Sequence, residues 1–176
     1  ASSAMMFLMS VTTTENLHGI VFWMMGSVDE PNSTLIMIAL YTSLAGLIIS
    51  QLFARPLNAL RLGQEKARHL GINSKLGIRI LFIIASLLTG MCVSIAGVIG
   101  FVGLIIPHMV KLIAGPDYRI VLIGSFLGGS FFLIVSDVLA RTVVAPNELP
   151  IGVITGIVGG LVFIGILARL GLKSKM

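Results

Sequence analysis

The sequence predicts an all-α protein, a polytopic bundle of transmembrane helices, and two observations lead to that fold class. Hydrophobic residues make up 56% of the 176 residues, charged residues make up 11%, and the mean hydropathy is +1.06, whereas soluble domains have about 25% charged residues. The chain also contains several apolar runs, and a helix of about 20 apolar residues crosses the hydrocarbon core of a bilayer. We therefore expect one membrane domain, residues 1–176, with no room for a soluble catalytic domain.

Four apolar runs are predicted to cross the membrane as helices, namely residues 33–54, 78–99, 120–144 and 151–168. The first contains no charged residue, and Asn32 or Ser33 is placed to cap it. A fifth run, residues 100–113, is short and contains Gly100, Gly103 and Pro107. This run can cross as a short broken helix or re-enter on the side from which it came.

The distribution of charge favours a crossing for residues 100–113, because Lys and Arg accumulate in short loops on the cytoplasmic side of a membrane. With a crossing, every Lys and Arg except Arg141 lies on one side, and the acidic residues Glu15, Asp29, Glu30 and Glu148 lie on the other. With re-entry, Arg119 and the basic C-terminal tail move to the acidic side. We therefore predict five crossings and a cytoplasmic C-terminus.

The stretch "LGQEKARHLGI", residues 62–72, is charged and favours a helix. Gly63 is expected to end the helical turns that precede it. A helix is then expected from about residue 64 to residue 70, with Gly71 as its C-terminal stop. Glu65 near the start and Arg68 near the end suit the helix dipole. Ala67 and Gly71, at i and i+4, would leave a smooth patch that another surface could approach. A solvated loop that only anchors its neighbours is the alternative.

Five motifs follow one another along the chain in a characteristic order: "FWMMGS" (22–27), "PLNALRLGQEKARHLGI" (56–72), "TGMCVSIAGVIGFVGLIIPHMVKLIAGPDYR" (89–119), "SDVLAR" (136–141) and "ELPIGVITGIVGG" (148–160). This order resembles the FecCD-type permeases, the membrane subunits of ATP-binding cassette (ABC) importers for iron-siderophores, haem and cobalamin. The resemblance implies a fold like that of type II ABC importer permeases, in the cytoplasmic (inner) membrane. Since such permeases have about ten helices, it also implies that the sequence is the C-terminal half of a longer chain.

The resemblance also implies roles for particular residues. Residues 56–75 would form the cytoplasmic coupling region, in which Glu65, Ala67, Arg68 and Gly71 contact an ATPase subunit. Arg141 would receive an acidic residue of a periplasmic or surface-anchored substrate-binding protein. The remaining partner would be a second permease subunit, identical or different, and the two permeases would alternate in opening to either side.

Small residues concentrate in the glycine-rich stretches and are expected to let helix backbones approach closely, within the chain or along the transport pathway. The residues that we assign to helix packing or to the pathway are Gly97, Gly100, Gly103, Pro107, Gly152 and Gly156.

Motifs for catalysis and for metal binding are missing from the sequence. The phosphate-binding pattern G-x-x-x-x-G-K-[ST] does not occur, so we expect ATP to be bound and hydrolysed by a partner and assign no catalytic residue or cofactor. Asp137 and Arg141 lie at i and i+4 and can pair with each other. His108 has no second ligand at helical spacing, so we assign it to packing or a backbone hydrogen bond and assign no metal.

Two other functions compete with an importer permease. An ion-coupled secondary transporter would place several ionisable groups at mid-membrane, where only Asp137 and Arg141 come close. A truncated membrane subunit that assembles without transporting is the other alternative.

Overall fold

The computed structural model describes residues 2–69, 74–144 and 149–173, and within these ranges the chain is helical without any strand. The helices are α1 (Ser2–Val11), α2 (Thr14–Met25), α3 (Ser33–Leu52), α4 (Ala54–Leu60), α5 (Gln64–His69), α6 (Ser74–Ala96), α7 (Val102–Ala114), α8 (Tyr118–Thr142) and α9 (Ile151–Lys173). The predicted all-α bundle is confirmed.

The long helices correspond to the predicted crossings. Within the described ranges, α3, α6 and α8 are long and apolar enough to cross a membrane, and the 25 residues of α8 extend about 37 Å. The predicted cap of α3 is present, since Asn32 Oδ1 accepts a hydrogen bond from the Thr34 N–H at 3.0 Å. α9 has 23 residues, and a further helix, α2, precedes the first predicted crossing.

Contacts between helix termini define two opposite ends of the bundle. At the basic end, α4 lies against the turn between α7 and α8, residues 115–119, and Phe53 lies beside Gly77 in α6. At the acidic end, the Ser27 N–H donates to the Ala96 carbonyl at 2.9 Å, and the start of α9 lies against the end of α2. The helices α3, α6, α7, α8 and α9 run alternately between these ends.

The course of α7 distinguishes a crossing from re-entry. The helix begins after residues 97–101 at the acidic end and finishes at Gly115 at the basic end, so it does not return to the end from which it came. Pro107 removes one backbone donor, yet the helix continues through it. The break lies instead at residues 97–101, where Gly97 has φ +70° and Phe101 has φ +67°.

Glycines allow α7 to pack closely against α8 and α9. A Cβ on Gly124 in α8 would lie 2.7 Å from Val110 Cγ1, and a Cβ on Gly159 in α9 would lie 2.5 Å from Phe101 Cβ. These separations are below van der Waals contact, so larger residues would push the helices apart. Many large apolar side chains outside these contacts are exposed, as expected for surfaces that face lipid or further subunits.

Candidate functional site

The short helix α5 presents its acidic residue to solvent at the basic end. Gly63 precedes α5 with φ +106°, a conformation that residues with a side chain rarely adopt. Its carbonyl accepts a hydrogen bond from the Ala67 N–H at 3.1 Å, which closes the first turn of the helix. Glu65 lies in that turn and is exposed. Gly63 therefore supplies the backbone conformation from which α5 starts, and Glu65 is accessible to another molecule.

Ala67 corrects our prediction of a smooth outer patch. The residue is 0% exposed, because α5 packs against α4 and α6. Its methyl group therefore faces the bundle of this chain and holds α5 in place, and it is not part of a surface open to a partner. Arg68 belongs to α5, whereas Gly71 lies outside the described residues, so its role in ending the helix remains a prediction.

A reciprocal pair of hydrogen bonds, which we call the latch, joins α4 to the start of α8. Asn58 Nδ2 donates to Asp117 Oδ1 at 2.6 Å, and Asn58 Oδ1 accepts from the Tyr118 N–H at 3.0 Å. Asp117 also caps α8, since its Oδ1 accepts from the Arg119 N–H at 2.9 Å. One carboxylate thus both starts α8 and attaches it to α4.

The charge of Asp117 is stabilised where it lies. The Arg119 N–H, followed by the Asn58 amide, holds the pKa of the Asp117 carboxyl below its usual value, because both groups donate to the ionised form. The positive charges of Arg119 and Arg61 act in the same direction. At neutral pH the latch therefore contains a carboxylate, and hydrogen bonds to a charged group are stronger than neutral ones.

Two further hydrogen bonds join the segment around α4 to the turn before α8 and the start of α8, a contact region that we call the junction. Arg61 Nη1 donates to the Pro116 carbonyl at 2.8 Å, and Gln51 Nε2 donates to the Arg119 carbonyl at 2.9 Å. Sequence reasoning missed the junction. The Asp N-cap before α8 carries a local signal, but nothing in the sequence indicates that residue 58 reaches residue 117.

At the acidic end, Arg141 lies between two carboxylates. Its Nε donates to Asp137 Oδ2 at 2.9 Å, which confirms the predicted pair, and its Nη2 lies 4.0 Å from Asp29 Oδ1. The side chain of Arg141 is 40% exposed and that of Asp29 is 72% exposed. Asp29 lies in the segment between α2 and α3, so only the tertiary structure brings it to Arg141.

Two of the glycines that we assigned to helix packing make the predicted close contacts. A Cβ on Gly97 would meet the Trp23 carbonyl oxygen and would lie 3.1 Å from Gly26 Cα, and a Cβ on Gly152 would meet the Met25 carbonyl oxygen. The end of α2, the break before α7 and the start of α9 therefore meet as three backbones with no side chain between them.

The other three glycines do not pack in this way. No atom of another described segment lies within 4 Å of a Cβ placed on Gly100, Gly103 or Gly156. They therefore make no close approach within the described residues, and their assignment to packing against other segments or to the pathway stays a prediction. Gly159 makes a close approach as expected, and Gly26 and Gly124 make close approaches that we did not predict.

His108 lies partly buried in a groove of about 470 Å³ between α7 and α9, lined also by Met109, Leu112 and Val162. Among the residues that the structure describes, no group of three or more His, Cys, Asp or Glu side chains is arranged to hold a metal ion.

Comparisons with known proteins identify relatives along most of the chain. The hemin transport system permease protein HmuU of Yersinia pestis is 37% identical over 159 residues, which cover 90% of this chain and 48% of the relative. The vitamin B12 import system permease protein BtuC of Salmonella typhi is 39% identical, with 96% and 51% covered. The Fe(3+)-citrate import system permease protein YfmD of Bacillus subtilis is 38% identical, with 97% and 52% covered.

A solved structure of a metal-chelate type ABC transporter in an inward-facing conformation has the same fold, with a TM-score of 0.86 and 30% sequence identity. The match covers 96% of this chain and 55% of that chain. The chain thus spans about half the length of the curated relatives that it matches. The FecCD transport family matches residues 1–169. This chain is a member of the FecCD transport family.

Proposed function

We propose that this chain is the C-terminal half of a permease subunit of an ABC importer, which moves an iron complex or cobalamin through the cytoplasmic membrane by alternating access. The relatives transport hemin, vitamin B12 and Fe(3+)-citrate according to their names, which supports this class of cargo. The observation that carries the proposal is the exposed Glu65 on the short helix α5. Ala67 of the same helix is buried, and the neighbouring helix α4 is attached to α8 by the latch.

The basic end is the cytoplasmic end in this proposal, because short loops rich in Lys and Arg remain in the cytoplasm. Glu65 then faces the cytoplasm, where an ATPase subunit binds α5, the helix that also contains Arg68, and hydrolyses ATP, while this chain catalyses no reaction. The C-terminus is cytoplasmic as well. A second permease subunit completes the transport pathway.

The acidic end then faces outward, and Arg141 is the docking residue for a substrate-binding protein. Its Nε donates to Asp137, and its side chain remains 40% exposed, so an acidic side chain of the partner can reach it. Docking would replace the distant contact with Asp29 and leave the bond to Asp137 in place.

Movement would pass from the ATPase to the membrane helices through rigid contacts. A displacement of α5 moves α4, because Ala67 is fully buried where α5 packs against α4 and α6, and packed interiors transmit strain. The latch passes that displacement to residues 115–119, the turn that joins α7 to α8. Since α8 extends about 37 Å, a small rotation at the basic end becomes a larger displacement at the acidic end.

Charge reversal at Glu65 tests the proposal in the full-length importer complex. Glu65→Lys should reduce both co-purification of the ATPase subunit and ATP-dependent uptake. The matched control is Lys111→Glu, which reverses an exposed charge at the basic end but in the last turn of α7, outside residues 56–75, and it should retain both. Normal ATPase binding and normal uptake in the Glu65→Lys complex would remove α5 from the coupling role.

A further inference from the structure

A groove that the transport function does not use lies at the basic end. It has a volume of about 400 Å³, is lined by Gln51, Leu52, Arg55 and Arg119, and separates the junction of α3 and α4 from the start of α8. Gln51 Nε2, on the α3 side of the groove, donates a hydrogen bond to the Arg119 carbonyl on the α8 side at 2.9 Å. This hydrogen bond fixes the distance between the two walls, so the groove is a built feature of the fold.

The groove carries positive charge. Arg55 and Arg119 are both exposed, and the ion pairs recorded for the described residues all involve Arg141. Arg119 also lies in the first turn of α8, where the helix dipole adds positive potential. Asp117 offsets part of this charge, but its carboxylate is engaged by Asn58 and the Arg119 N–H. The two guanidinium groups are therefore available to an anion.

Apolar surface continues from the arginines along the helices. Leu52 in the groove is 73% exposed, and Ile48, one turn earlier in α3, is 63% exposed. Ile123, one turn beyond Arg119 in α8, is 47% exposed. Residues four apart lie on the same face of a helix, so a cationic pair is followed by an apolar track toward the membrane interior.

We propose that this groove binds an anionic phospholipid, with its phosphate against Arg55 and Arg119 and an acyl chain along Ile48, Leu52 and Ile123. A free anion would gain nothing from the apolar track. A zwitterionic lipid would bring a cationic group into a groove whose lining residues include no carboxylate. Basic pockets between transmembrane helices bind anionic headgroups in this way.

Native mass spectrometry of the full-length permease in its complex tests the proposal. The purified complex is titrated with phosphatidylglycerol, with phosphatidylcholine of the same acyl length, and with inorganic phosphate. Phosphatidylglycerol should bind in preference to both other probes. Each of Arg55→Gln and Arg119→Gln should weaken its binding about fivefold, and the double variant about 25-fold.

Arg79→Gln is the matched control, because Arg79 is an exposed arginine near the start of α6 and does not line the groove. It should bind phosphatidylglycerol as the parent does. An equal loss in the control would mean diffuse attraction to basic residues, and equal binding of phosphatidylcholine would refute an anionic ligand. Displacement of the lipid by inorganic phosphate at similar concentration would identify a free-anion site, and a parent complex that binds no lipid would mean that other protein covers the groove. Each of these results overturns the proposal.

Discussion

Asn58 and Asp117 lie 59 residues apart, and the Asn58 amide donates to the Asp117 carboxylate at 2.6 Å while it accepts from the Tyr118 N–H at 3.0 Å. This pair attaches α4, part of the region that we propose to couple to an ATPase, to the long apolar helix α8. Because both polar atoms of one side chain are used, the contact resists both separation and rotation. It is the shortest described connection between the segment that we assign to ATPase docking and the helix that carries Arg141.

Exchange of the two latch residues, Asn58 and Asp117, should show whether the latch transmits movement or only stabilises the fold. Asn58→Asp places two carboxylates together and replaces a hydrogen bond by repulsion, so it should lower the free energy of unfolding of the detergent-solubilised permease. The double variant Asn58→Asp with Asp117→Asn restores an amide–carboxylate pair and should recover stability and uptake. In Asn58→Asp alone, ATPase binding should persist while uptake per ATP hydrolysed falls. A double variant no better than the single one would contradict the latch.

The latch should weaken in acid. The pKa of Asp117 is lowered in the folded protein, so this carboxylate stabilises the fold above the ordinary aspartate pKa of about 3.9. That stabilisation is lost as the pH falls through the lower, folded-state pKa. Melting temperatures of the parent and of Asp117→Asn should differ at pH 7, and the difference should shrink as the pH falls below the ordinary aspartate pKa of about 3.9. A difference that stays constant over this range would mean that Asp117 contributes by shape alone.

Alanine at two neighbouring glycines should have opposite outcomes. Gly97→Ala forces a side chain into a left-handed conformation and against the Trp23 carbonyl, so it should cost about 2–5 kcal/mol. Gly100→Ala meets nothing within 4 Å and should change stability by less than about 0.5 kcal/mol. The yield and melting temperature of purified permease measure both. Similar losses at the two positions would show that the break before α7 is not organised by Gly97.

Arg141 and Asp29 should contribute unequally to docking of the substrate-binding protein. Arg141→Glu reverses the charge offered to an acidic partner residue. It should raise the dissociation constant at least tenfold, which corresponds to a loss of about 1.4 kcal/mol in binding free energy. Asp29→Asn should change it less than about fivefold, since an exposed ion pair at 4.0 Å contributes less than about 1 kcal/mol. Equal affinity of the Arg141→Glu permease and its parent would remove Arg141 from docking.

Local sequence patterns were sufficient wherever the deciding contacts are local. The Asn32 cap depends on residues two apart, and the Asp137–Arg141 pair depends on residues four apart, so helical geometry alone predicts them. The long apolar runs likewise require helices, because a backbone in lipid must satisfy its own hydrogen bonds. The motif order from residue 22 to residue 160 was specific enough to indicate the family.

Contacts between distant segments were decided only by the tertiary structure. The sequence allowed Ala67 to face a partner, but packing of α5 on α4 and α6 buries it. The sequence assigned Gly97 and Gly100 to the same role in helix packing or the pathway, yet only Gly97 lies against the backbone of another segment. Asp29 reaches Arg141, and Asn58 reaches Asp117, across loops whose course no local pattern specifies. The physical reason is that sequence period fixes which face of a helix a residue occupies, while the neighbour on that face depends on how all the helices pack.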